Sequence, residues 1–91
     1  MPESIKGESS AIRAQRVLND VLKERDHQRG RWSIEDDVLH SHCEWTNILT
    51  TWLGKACHSA RHGDTPAFRK RLVQVAAICM AAIEALDRDA R

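Results

Sequence analysis

An all-α fold, an antiparallel bundle of about three helices, is what this sequence predicts. Three observations carry the prediction. Three long stretches repeat apolar residues at spacings of three and four, short punctuated segments separate them, and no stretch alternates apolar and polar residues as a strand does. Only two prolines and four glycines interrupt the 91 residues, and a composition 42% apolar and 30% charged suits a packed domain rather than disorder.

Residues 1–9, with Pro2, Gly7 and paired serines, read as a frayed tail, and residues 10–91 as a single domain. Ser9 or Ser10 caps a first helix running to about Arg29, with Ile12, Leu18, Val21, Leu22 and Arg25 on one face and Asp20, Lys23, Glu24 and His27 toward water. Gly30 is expected to stop it. Ser33 is the candidate N-cap of a second helix over about 35–61, with Glu35, Asp36 and Asp37 near its positive dipole end and a break near His40 to Glu44. Its core face takes Val38, Trp45, Leu49, Trp52, Leu53, Ala56 and Ala60.

The turn "HGDTP" is strongly specified. Gly63 ends the second helix, Asp64 or Thr65 caps the third, and Pro66 sits in the first turn, where a missing N–H costs nothing. The third helix, 66 to about 88, is apolar nearly all round between Leu72 and Ile83, as befits a central helix or one at a subunit interface. A chain this short buries only about two-thirds of its unfolded surface. A partner copy is therefore expected to complete the bundle, as a homodimer or a dimer of dimers, with Ile78 and Ile83 at the contact.

A net charge of +1 gives no general pull toward nucleic acid or membrane. No apolar run is long enough to span a bilayer, and "MPESIKGESS" lacks the apolar core of a signal peptide. Cys43, Cys57 and Cys79 are odd in number and fall in helical stretches, so reduced thiols and a cytoplasmic location are expected.

One feature of the charge pattern is unusual for a helical core. From Trp45 to Ile83 the only acid is Asp64, while Lys55, Arg61, Arg69, Lys70 and Arg71 are basic. "WTNILTTWLGKACHSA" and "FRKRLVQVAAICMAAIEALDR", with the upstream "ERDHQRGRWSIEDDVLH", resemble the MazG-like all-α nucleoside triphosphate pyrophosphohydrolases, particularly small phage-type members, over about residues 20–88. The resemblance implies a dimeric helical bundle. It also implies Glu-Glu-x-x-Glu on one helix and Glu-x-x-Asp on the next, acids that converge on Mg²⁺, which clamps the triphosphate and activates water. Here those positions fall on Thr51, Trp52, Lys55, Arg71 and Gln74, none of them a carboxylate. Metal-dependent hydrolysis is therefore not expected, and no metal or other cofactor is assigned.

Two readings of Lys55 and Arg71 stand side by side. Either the pocket is no longer used and both side chains snorkel to solvent, or fixed cations replace the metal and hold a nucleotide or other phosphorylated ligand directly, Arg71 bidentately and Lys55 as a point charge. On the second reading Thr51, Trp52, Lys55, Arg71 and Gln74 form the site, and a phage protein of this kind could sequester a signalling nucleotide. Trp52 either fills the emptied cavity or stacks on a base.

Asp36, Asp37, His40 and His58 are secondary candidates for contacting a base or ribose. Glu35, Asp36, Asp37 and the histidines are also the ligands that an active, non-standard hydrolase would use with Mg²⁺. His40, His42, Cys43, Glu44, Cys57, His58 and His62 match no established zinc spacing, and adjacent Cys57 and His58 do not face each other on a helix. The patch Arg61, Arg69, Lys70 and Arg71 is too small for firm nucleic-acid binding at physiological salt. A helical interaction module that binds or inhibits a host protein, with no small ligand, is the competing function.

Overall fold

The computed structural model describes residues 8–31 and 40–89. These residues form three helices, α1 (Ser10–Arg29), α2 (His42–Arg61) and α3 (Thr65–Asp89). The chain is all-α among the described residues.

The Ser9 side chain accepts from the Ile12 N–H (3.1 Å) and caps α1. α1 ends at Arg29 with Gly30 as its C-cap, where the stop was expected, although Gly30 keeps right-handed helical dihedrals. α2 is described from the break expected near His40 to Glu44 onward. Ser33, Glu35, Asp36, Asp37 and Val38 lie outside the described residues, and α2 starts at His42 under a capping box. Ser41 Oγ accepts from the Glu44 N–H (3.2 Å) and the Glu44 carboxylate accepts from the Ser41 N–H (3.1 Å). The sequence S-x-x-E at 41–44 is the signature of that motif, and it lies where a break in a longer helix was expected.

The α2–α3 turn follows the expectation from "HGDTP". The Gly63 N–H reaches Ala60 O (3.1 Å) and the Asp64 N–H reaches Ser59 O (3.1 Å), the paired bonds of a Schellman motif. Gly63 takes φ 69°, the left-handed conformation that a side chain would strain. Asp64, not Thr65, caps α3, its carboxylate accepting from the Ala67 N–H (3.1 Å).

So short a turn folds α2 and α3 into an antiparallel hairpin. Trp45, near the start of α2, packs on Ile78, Ala81, Ala82 and Ala85 late in α3, and Ile48, Leu49 and Trp52 close over them. The alanines let the helices approach, and Trp45 is the largest side chain of the buried cluster. Leu53 and Ala60, expected in this core, are exposed because they lie on the flank of α2 rather than on the Trp45–Ala56 stripe.

α3 is the shared partner of the other two helices. α1 runs beside it in the same direction, Asp20 meeting Arg69 (2.7 Å) and Arg25 and Arg29 meeting Glu84 (3.4 Å each). Val21 is the buried apolar residue of α1, and Arg25 and Gln28 are the buried polar ones. Ile12, Leu18 and Leu22, read as core, are exposed, and Asp20 and Glu24, read as fully solvated, are half-buried toward α3. Every residue from Ser10 to Asn19 is exposed. Ile78 is buried against Trp45 inside the chain and is thus unavailable as a contact residue, whereas Ile83 is 58% exposed.

Candidate functional site

The hairpin sets the geometry of the residues singled out in the sequence. Lys55 and Arg71 lie eight residues either side of Gly63, and Trp52 and Gln74 eleven either side, so an antiparallel pair of helices sets Lys55 level with Arg71 and Trp52 level with Gln74, less than one turn further along. The side chains do converge. Lys55 Nζ sits 4.1 Å from the centre of the Trp52 ring, and the Arg71 guanidinium carbon 5.8 Å from the same ring. Arg71 Nη1 donates to Gln74 Oε1 (3.1 Å), which orients the guanidinium.

Two like charges therefore share one indole. The quadrupole of the ring attracts both, each contact contributing about 0.5–1 kcal/mol at an exposed site. Among the described residues neither cation has a carboxylate within ion-pair distance. Trp52 itself is half-buried and packs against the Trp45 core, so it both fills the space between the helices and carries the cations.

Thr51 is not part of this group. It is exposed, and its hydroxyl donates to the Asn47 carbonyl one turn earlier (2.9 Å). His40 lies edge-on to Trp45, ring centres 4.9 Å apart, and within 3.4 Å of Glu44, so it belongs to the start of α2. His58 stacks on His62 at 4.2 Å at the opposite end of that helix. Asp36 and Asp37 lie outside the described residues. Among the described residues no three His, Cys, Asp or Glu side chains come together as a metal-binding group.

A separate hollow of about 290 Å³ lies between α1 and α3, lined by Asp20, Lys23, Glu24, Pro66, Arg69 and Lys70 among others. It does not include Lys55, Trp52 or Arg71. The two locations compete as candidate sites, and the charge pattern separates them. In the hollow Arg69 is already neutralised by Asp20 at 2.7 Å, and Glu24 adds a second acid. The Trp52 cluster has cations only. An anion gains more at the second, although it would sit on an open surface and not inside a cavity. The hollow was not legible in the sequence, since it depends on how α1 lies along α3.

Comparison of the chain with protein-family models, with curated proteins and with solved structures returns no match in any of the three.

Proposed function

We propose that this chain binds a phosphorylated ligand, a nucleotide among the candidates, through Lys55 and Arg71 on the Trp52 platform, without a divalent metal and without hydrolysing it. The observation that supports the reading is two cations gathered on one ring with no acid beside them. An arrangement of that kind is poised for a shared anion, because a phosphate between the two charges relieves their repulsion and gives each a charge-assisted hydrogen bond. Arg71, oriented by Gln74, offers its remaining N–H groups in the planar fork that suits phosphate oxygens.

No step of water activation is assigned. The positions at which MazG-like enzymes carry their metal-binding acids hold Thr51, Trp52, Lys55, Arg71 and Gln74, and a cationic face repels Mg²⁺. Membership of that family, with its metal face inverted in charge, belongs to the same proposal. The cations already occupy the indole, so recognition centres on the phosphate and not on a stacked base.

Calorimetric titration with inorganic pyrophosphate and with a nucleoside triphosphate, both in EDTA, tests the reading. Binding is expected to persist in the chelator and to weaken at least tenfold, about 1.4 kcal/mol, in Lys55→Glu/Arg71→Glu. Undetectable binding of both probes removes the proposal. Release of pyrophosphate from a nucleoside triphosphate with Mg²⁺ removes its non-hydrolytic half.

A further inference from the structure

α2 ends in two histidines that the phosphate site does not use. In "CHSARH", residues 57–62, His58 and His62 are four apart, and at about 100° per residue that spacing sets both on one face of the last turn. Their rings meet. The ring centres are 4.2 Å apart with the planes tilted by 39°, and both residues are exposed. The backbone beyond them is held as well, because the Gly63 N–H reaches Ala60 O (3.1 Å) and the Asp64 N–H reaches Ser59 O (3.1 Å). The pair is therefore fixed from the helix on one side and from the turn on the other.

One nitrogen of the pair is already committed. His62 Nδ1 lies 2.9 Å from the His58 carbonyl oxygen. A carbonyl only accepts, so Nδ1 carries the proton and the neutral ring keeps its lone pair on Nε2. A backbone carbonyl on the second nitrogen is the support that metal-ligating histidines ordinarily have: it sets the tautomer, holds the ring and raises the basicity of the other nitrogen. Among the described residues no hydrogen bond or ion pair engages the His58 ring or His62 Nε2.

We propose that His58 and His62 form a two-imidazole site for a divalent transition-metal ion, Cu²⁺ bound more tightly than Ni²⁺ or Zn²⁺, with water in the remaining positions. Two imidazole nitrogens about 2.0–2.1 Å from one ion, at a right angle to each other, set their ring centres about 4.5 Å apart. The rings at 4.2 Å need only open by a few tenths of an ångström to admit the ion. Imidazole suits copper, nickel and zinc, with copper at the top of the affinity order, and it offers Mg²⁺ none of the oxygen ligands that ion requires.

The surroundings set the character of the site. The last turn of α2 is the negative pole of the helix, which favours a bound dication. Arg61 on the same turn and Lys55 one turn earlier oppose it. Cys57 precedes His58 but projects about 100° away from it around the helix, and among the described residues no third His, Cys, Asp or Glu joins the pair. Two protein ligands with open positions make an exchangeable site and not a closed structural centre. The ion clips residue 58 to residue 62 across the last turn of α2, so by linkage it stabilises the folded chain. The proposal is independent of the phosphate site, since neither Lys55 nor Arg71 is a ligand to the ion.

The test uses the full chain carrying Cys43→Ser and Cys57→Ser, which removes the two exposed thiols that would compete for the ion and reduce Cu²⁺. Titration with Cu²⁺ or Zn²⁺ alone should raise the melting temperature, and Mg²⁺ at the same concentration should not. The electron paramagnetic resonance spectrum of the Cu²⁺ form should show hyperfine coupling to two imidazole nitrogens. His58→Ala and His62→Ala, both at exposed positions, should keep their helical circular dichroism, and each should weaken binding of the ion by about tenfold or more. His42→Ala should leave that binding unchanged, and Lys55→Glu/Arg71→Glu should not weaken it. No shift with Cu²⁺ or Zn²⁺, an equal shift with Mg²⁺, binding that survives His58→Ala or His62→Ala, or coupling to a single nitrogen overturns the proposal.

Discussion

Glu84 gathers three guanidinium groups: Arg25 and Arg29 at 3.4 Å each and Arg88 at 4.0 Å. Arg25 is 2% exposed, so its charge has left most of its water and depends on neighbours to stay solvated. Removing an acid that serves several arginines should therefore cost more than removing one exposed arginine. Glu84→Gln is expected to lower the unfolding free energy by about 1–3 kcal/mol, tempered by the partial exposure of the carboxylate. Arg29→Ala, at an exposed position, should change it by less than about 1 kcal/mol. Urea unfolding of the two variants measures the difference, and equal losses would show that Glu84 is not the hub. Arg25 could be placed from sequence because four-residue spacing puts it on the face of Val21. Gln28 continues the same face but, being polar, gives no hydropathy signal, and only the fold reveals that it donates to the Gln74 carbonyl (3.3 Å).

The elements differ in how firmly their ends are written. Around Gly63 every local signal agrees: a left-handed glycine, a capping aspartate, a proline in the first turn. The turn can accordingly be read from five residues. The start of α2 is written by Ser41 and Glu44, whose S-x-x-E capping box falls at the break expected near His40 to Glu44, while Glu35, Asp36 and Asp37 lie outside the described residues. That box has a measurable pH signature. The Ser41 backbone N–H first, then the Ser41 side chain and His40, hold the Glu44 carboxyl below its ordinary value of 4.5. A lowered folded-state value means the cap contributes its stability above 4.5 and loses it as pH falls further. Glu44→Gln keeps the shape of the box without the charge. It should be less stable than the parent at neutral pH and lose less of its melting temperature on acidification. Parallel losses for the two proteins would show that the carboxylate does not matter to α2.

At the scale of the whole molecule, the radius of gyration of 15.1 Å exceeds the roughly 12 Å expected for a compact chain of this length. Elongation follows from the topology: α3 alone touches both other helices, and α1 runs past the hairpin with its first ten residues exposed. Helix number and class were legible, since they depend on local spacing. The meeting of Trp52, Lys55, Arg71 and Gln74 was legible too, because equal distances from one turn dictate it. How α1 docks was not, because polar pairs between distant residues hold it and leave no periodic trace. Local stability should follow the same division. Amides of Ala77 to Ala85 and of Trp45 to Ala56, on either side of the Trp45–Ile78 core, are expected to resist hydrogen exchange up to global unfolding. Those of Ser10 to Asn19 should exchange by fraying alone, with Asp20 to Arg29 between the two, tied down by Val21 and the Glu84 ion pairs. Glu84→Gln should then speed exchange through Asp20–Arg29 while leaving the hairpin amides close to the parent. If α1 and the hairpin instead lose protection together, the helices unfold as one unit, and the polar seam couples them more tightly than its buried apolar area suggests.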